Sequence, residues 1–302
     1  MPAVELWHVN VFSRNPFGGN PAAVGFCDGT LDGTAMQSIA RIMNLSETVF
    51  VSPAQDERAD YRARIFTTRR ELRFAGHPTI AAAFAFLEKS GRAWPDGRTT
   101  LRQECGIGIV EIEPIARPGG TSLFVAQRDP THVDTSISRE DIARALGCGL
   151  EAVGEGPFAV VSTGVPWLMV ELATLESVRK LAPDFTMIGR MSTDAKAVGM
   201  TVFTRQTSDP SCHAHLRSFA PAEGIYEDPV CGSCHGALAA HLSRHCPEVA
   251  RLLADGAPLR LEQGEEIGLP GRSEVFARTS AGTTRFLVGG ESVVTLKGTL
   301  QC

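Results

Sequence analysis

Two stretches of the chain follow the same course. RIFTTRRELRFAGHPTIAAA (64–83) and RSFAPAEGIYEDPVCGSCHGALAA (217–240) each run from Arg-x-Phe through a Glu to a Gly that opens an Ala-rich apolar segment. Aligned on that glycine, Gly76 falls on Gly232 and His77 on Ser233, with three extra residues in the second copy. Both segments read as buried helices, small and apolar and free of interior Pro. Around them the sequence is rich in strand patterns: 4–12, 22–26, 47–52, 60–67, 98–104, 107–113 and 121–127, then 158–162, 166–172, 198–204, 214–219, 259–262, 274–279, 284–288 and 292–297. Further helices are expected at 34–44, 138–146 and 174–181, and the two Ala-rich ones at about 74–91, with Gly91 as C-cap, and 231–245. Many strands around two central helices, without a regular βαβ succession, predict an α+β fold. Self-similarity across the halves predicts a duplicated lobe with the active site in the cleft between the copies.

Charge and composition remove several functional classes. The net charge is −5, and the Lys and Arg residues are scattered, so no basic face offers itself to a phosphate backbone and no nucleic-acid partner is expected. Nowhere do eighteen apolar residues run together, and MPAVELWHVNVF lacks the pattern of a secretory signal; a soluble, cytoplasmic protein with no membrane partner is expected. With 302 residues, 43% of them hydrophobic, the chain is long enough for a sizeable core. Eight cysteines at irregular spacing do not form the framework of a small secreted domain and are expected to be reduced.

One motif invites a different chemistry. EDPVCGSCHGAL (227–238) contains Cys-x-x-Cys-His, which by itself reads as a c-type haem attachment site, a zinc half-site or a redox dithiol. Haem attachment belongs to export compartments, for which the sequence gives no signal. Zinc with the downstream His241 and His245 fails on geometry. At about 1.5 Å rise per residue, Cys234 and His241 on one helix stand roughly 10 Å apart and Cys231 and His241 about 15 Å, whereas zinc ligands lie within about 2.3 Å of the ion. A dithiol with a thiolate favoured by the helix N-terminus stays open.

In order and spacing, VNVFSRNPFGGNPAAV, NLSETVFV, FAGHPTIAAA and EDPVCGSCHGALA resemble the signatures of the PhzF-like phenazine-biosynthesis isomerases, relatives of diaminopimelate epimerase. The resemblance spans essentially the whole chain. It implies two pseudo-symmetric lobes, residues 1–117 with the C-terminal strands 283–302 and residues 118–282, each a β-sheet or barrel wrapped around one central helix, and a homodimer. It also implies Glu47, His77 and Asp228 as catalytic residues and Ser233 in the same site. The family's usual EDPVTGSAH here reads EDPVCGSCH, so Cys231 and Cys234 are read as small-residue substitutions at a helix entrance. TTRRE departs from the family's Thr-Pro segment before the Gly-His pair.

The same residues make chemical sense without the family. Glu47 begins an apolar strand, where it is either a solvated connector residue or a carboxyl whose burial raises its pKa toward neutrality, able to take and return a proton. The resemblance favours the second reading. Gly76–His77 and Gly232–Ser233 open helices whose unsatisfied N–H groups suit an anion. His77 is otherwise an ordinary first-turn residue, and Asp228 a helix cap, a role compatible with binding substrate. Gly19 and Asn20, in FGGNP (17–21), allow close backbone approach to a ligand but equally make a plain turn. The expected chemistry is a one-base proton shift between carbons of a small carboxylic acid, cyclic or amino-substituted, with no metal and no organic cofactor. Two other classes stand beside it. One is an amino-acid epimerase with a Cys thiolate in each lobe, for which Cys231 supplies one and FAGHPT none; the other is a non-catalytic or redox-sensing binding protein using Cys231 and Cys234.

Overall fold

The computed structural model describes residues 3–91, 100–117, 120–280 and 282–301. The chain divides into two compact units, residues 1–125 with 289–302 and residues 126–288. No helix among the described residues is long and apolar enough to cross a membrane.

The first unit opens with β1 (Ala3–Val11) and β2 (Asn20–Phe26), paired antiparallel. Helix α1 (Gly33–Met43) starts where the Asp32 carboxylate accepts the Ala35 N–H and stops where Asn44 turns left-handed, which delivers β3 (Thr48–Ser52) parallel to β2. β4 (Tyr61–Phe66) returns antiparallel to β3, and the short β5 (Glu71–Leu72) leads into α2 (Gly76–Ser90). β6 (Leu101–Cys105) then lies parallel to β4, followed by β7 (Gly108–Arg117) and β8 (Gly120–Ala126) in antiparallel succession. The strands β1, β2, β3, β4 and β6 all pack on α2, which buries a nearly continuous run, Pro78–Ala83 with Ala85. That is what apolar sequence all round a helix dictates: the sheet must surround it.

The second unit contains β9 (Thr131–Asp134), α3 (Arg139–Leu146), β10 (Ala159–Ser162), β11 (Pro166–Glu171), α4 (Leu175–Arg179) and α5 (Phe185–Asp194). β12 (Gly199–Thr204), β13 (Ala214–Ala220), β14 (Ile225–Asp228), α6 (Gly232–His245) and α7 (Pro247–Ala254) follow. β15 (Leu259–Gln263), β16 (Gly271–Ser280) and β17 (Thr283–Gly290) complete the series. β10 and β11 pair antiparallel, β12 lies parallel to β11, β13 antiparallel to β12, β15 parallel to β13 and β16 antiparallel to β15. Strand for strand this is the order of β1, β2, β3, β4, β6 and β7, with α6 in the place of α2 and packed on β10, β11 and β16. The chain then returns to the first unit as β18 (Ser292–Gln301), antiparallel to β1 along its length.

The fold is α+β, as expected, but several elements differ from the sequence reading. Helices α5 and α7 and strands β5, β9 and β14 were not expected. α5 carries Gly189 and four Ser, Thr or Asp residues, a weak helical composition, and exists because the Asp184 side chain caps it and Ile188 is buried. α7 starts at Pro247 directly after α6 ends, sharing Cys246 as the hinge, so the two merge in sequence. The strand expected over 98–104 runs Leu101–Cys105; Arg98 and Thr99 lie outside the described residues. β2 begins two residues early, so Asn20 is a strand residue paired with Val11 and not part of the loop.

Candidate active site

In the first unit the fold places Glu47 against His77. Glu47 directly precedes β3, and its carbonyl accepts the Ala23 N–H across the parallel β2–β3 pair, which fixes the backbone. Its side chain is 13% exposed and that of His77 11%, with Oε2 of Glu47 3.4 Å from Nε2 of His77. Burial raises the Glu47 pKa above the usual carboxylate range, and the adjacent Ser46 side chain acts in the opposite direction. His77 is the second residue of α2. The N-cap residue there, Ala75, has no side chain able to cap, and a Cβ built on Gly76 would meet nothing within 4 Å. The helix thus begins with open space beside its first turn, a place for an anion. One turn in, Gln103 of β6 donates to Thr79 Oγ1 (3.0 Å) and accepts from the Tyr61 hydroxyl (3.1 Å), which locks the start of α2 to its sheet.

In the second unit Asp228, Gly232 and Ser233 gather at the start of α6. Asp228 ends β14, and its carbonyl accepts from Gln263 Nε2 at 2.7 Å. The Gln263 Oε1 accepts the Cys231 N–H (3.1 Å) and meets His235 Nε2 (2.8 Å). Since that oxygen only accepts, His235 carries its proton on Nε2 and its Nδ1 accepts from the Ser273 hydroxyl. Burial pushes the His235 pKa down to about 4, consistent with a neutral ring. The Trp167 indole N–H donates to Ser233 Oγ (3.0 Å), which also lies 3.3 Å from Cys231 Sγ. The N-cap of α6 is Cys231, whose own side chain makes no capping hydrogen bond.

These contacts answer the question posed by Cys-x-x-Cys-His. Its histidine is buried with both ring nitrogens engaged, which leaves none for an iron axial position. α6 is continuous from Gly232 to His245, so Cys234 and His241 remain far apart along its axis. Cys231 and Cys234 are free and buried. Burial, with Cys234 and Asp228 adding to it, raises the Cys231 pKa well above the ordinary thiol value. The thiolate expected from the helix N-terminus is overridden by desolvation.

Gly19 and Asn20 sit at the β1–β2 connection. Gly19 has φ +82°, and a Cβ there would fall 2.3 Å from the Val11 carbonyl oxygen, so the chain's own turn already demands glycine. Asn20 is 1% exposed. The sequence reading did not single out Ser46, Gln103, Trp167 or Gln263. The strand LRLEQ alternates Leu with polar residues and gives no local signal that Gln263 is buried, where an amide needs partners.

The comparisons agree over nearly the whole chain. Residues 9–298 match the PhzC-PhzF family, described as phenazine biosynthesis-like protein. The chain is 33% identical over 279 residues to the trans-2,3-dihydro-3-hydroxyanthranilate isomerase of Pseudomonas aeruginosa, covering 92% of this chain and 91% of that protein. The crystal structure of a Bacillus anthracis PhzF-family phenazine biosynthesis protein superimposes with TM-score 0.89 at 26% identity, covering 100% of each chain. A hydroxyproline epimerase from Agrobacterium vitis shares the fold alone, with TM-score 0.63 at 17% identity over 99% of this chain and 92% of that one. Four ordered motifs, two lobes of one strand order and these matches lead to one conclusion: the chain is an isomerase of the PhzF-like phenazine biosynthesis family.

Proposed function

We propose that this isomerase moves a proton between two carbons of a small, unsaturated carboxylic acid, with Glu47 as the single acid/base. The observation that carries the reading is the buried Glu47 carboxyl, raised in pKa, 3.4 Å from His77 at the uncapped start of α2. A carboxyl with a pKa nearer the working pH abstracts and redelivers a proton with little bias either way, which a one-base shift requires. In the ionised form Glu47 takes the proton, and the pair left on carbon delocalises through the conjugated system. The protonated form then delivers the proton at the far end, restoring the carboxylate. His77, Asp228 and Ser233 are assigned to holding and polarising the substrate, with the N–H groups of Gly76 and Gly232 receiving a carboxylate.

The substrate class follows from relatives named trans-2,3-dihydro-3-hydroxyanthranilate isomerase, which makes a cyclic amino-substituted acid of that kind the leading candidate. We assign the enzyme to the cytoplasm, where free buried thiols such as Cys231 and Cys234 stay reduced, and to a homodimer, which light scattering at micromolar concentration tests; a monomer there refutes it. The catalytic test is turnover of that acid in D₂O. Deuterium enters the product carbon in wild type, and product formed without deuterium by an enzyme that exchanges its base with solvent overturns the acid/base reading. An epimerase using a Cys231 thiolate is disfavoured by the raised thiol pKa and by Ala75 at the corresponding N-cap of α2.

A further inference from the structure

Zinc held by Cys231 or Cys234 with the helix histidines fails on geometry. The second unit adds a third imidazole. His241 and His245 stand one turn apart on the last turns of α6, and His132, the second residue of β9, reaches both. The His132 Nε2 lies 3.3 Å from His241 Nδ1 and 3.3 Å from His245 Nε2. One ring nitrogen from each of the three lies within 4.8 Å of the others. We propose that His132, His241 and His245 form a binding site for Zn(II), separate from the residues assigned to catalysis.

Geometry carries the assignment. Zinc–imidazole bonds of about 2.0–2.1 Å in a tetrahedron separate ligand nitrogens by roughly 3.3–3.4 Å. Two of the three edges already have that length. The third closes by rotation of His245, which is exposed. An i, i+4 histidine pair on a helix is a recurrent zinc-binding device, and a strand residue completing it ties two elements together. A nitrogen of His132 close to two other ring nitrogens cannot satisfy both with one proton, whereas one cation satisfies all three.

Protonation favours the ion as well. Burial lowers the His132 pKa, and burial together with the neighbouring rings brings that of His241 to about 4, so the lone pairs are available at neutral pH. The fixed charges acting on these rings are Arg244 and Asp134, one of each sign. The other cluster of ligand-type groups, His215 with Glu262 and Glu265, behaves oppositely. His215 bonds Glu262 and Glu266 through both nitrogens at 2.8 Å each and is held protonated, with a pKa of about 9. It presents a cation, not a lone pair.

The test uses untagged, metal-stripped full-length protein titrated with Co(II), whose tetrahedral sites absorb in the visible, and then with Zn(II). One equivalent of Co(II) should bind, be displaced by Zn(II), and raise the melting temperature. His245→Ala, at the exposed end of α6, should weaken binding by at least about 100-fold and abolish the thermal shift, since even outer-shell changes cost 10–100-fold. His132→Ala should do the same, and Cys231→Ser with Cys234→Ser should leave binding unchanged. Absence of Co(II) uptake by stripped wild type, or wild-type binding by His245→Ala, overturns the site.

Discussion

The two units run through one strand order yet carry different chemistry at matching positions. Just before the third strand of the series, the first unit has Glu47 and the second Val198, each joined by a backbone hydrogen bond to the strand alongside. At the N-cap of the central helix, Ala75 corresponds to Cys231; at its second residue, His77 to Ser233; at its fourth, Thr79 to His235. The fourth residue is tied in both to a glutamine on the strand lying parallel to the fourth of the series, Gln103 or Gln263. The scaffold of the helix start is therefore duplicated while the carboxyl at the Glu47 position is not. A two-base epimerase needs an acid/base from each side, and at the position of Glu47 the second unit offers Val198.

Removing the unpaired carboxyl is the strongest way to break the comparison. Glu47→Gln retains size and hydrogen bonding but cannot accept a proton, so kcat should fall by about 10²–10⁴-fold with KM little changed. The same variant should unfold at slightly higher temperature at pH 8. The folded pKa of Glu47 is raised, so its ionisation destabilises the fold as pH climbs through that value, and Gln does not ionise. An undiminished kcat would make Glu47 structural and leave the two units chemically equivalent.

The second unit has a histidine–carboxylate cluster buried more deeply than the Glu47–His77 pair of the first. His215 and Glu262 are fully buried, and Glu262 also accepts from the Ser208 and Asp209 N–H groups at 2.6 and 3.0 Å. Burial alone would lower the His215 pKa, but hydrogen bonds from the ring to Glu262 and Glu266 outweigh it and raise it to about 9. Its contribution is then fully present below the unfolded value of about 6.5 and is lost as pH rises toward 9. His215→Gln should cost about 3–5 kcal/mol at pH 6.5, the usual penalty for breaking a buried pair, and flatten the loss of stability between pH 6.5 and 9. Equal denaturation midpoints for variant and wild type across that range would remove the role given to this pair.

The glutamines sharpen the comparison further. Gln263 serves the Asp228 carbonyl, the Cys231 N–H and His235, whereas Gln103 serves Thr79 and Tyr61. Each lost buried partner costs about 1–3 kcal/mol, so Gln263→Leu should destabilise more than Gln103→Leu in urea titrations. It should also raise KM, because Asp228 and the start of α6 lose their common anchor. The reverse order would show the two anchors are not homologous. The smallest effect is expected at Cys231. Cys231→Ala should leave kcat within about threefold, and iodoacetamide at pH 7 should not inactivate the enzyme, because a buried thiol of raised pKa supplies little thiolate. Rapid inactivation would revive the thiol chemistry.

Much of this was readable in the sequence because it rests on local pattern. The Gly-led Ala-rich runs give α2 and α6, and the family resemblance decides between the two readings of Glu47 in favour of a buried carboxyl. What the sequence hid depends on partners distant along the chain. His235 looks like a haem ligand until Gln263 and Ser273 arrive from β15 and β16. His241 and His245 lack a third ring until β9 supplies His132, more than a hundred residues away. α5 needs a burial site for Ile188 and a cap from Asp184 to overcome its weak propensity.

The pairing of β1 with β18 has a consequence for biosynthesis. Ala3 is matched to Gln301 and Val11 to Ser292, so the partner of the first strand is made only after the whole of the second unit. The second unit is contiguous, residues 126–288, and all its strands are available before β18 is made. Vectorial synthesis therefore lets the later-encoded unit close first, while the earlier one waits with the edge of β1 exposed until β18 follows.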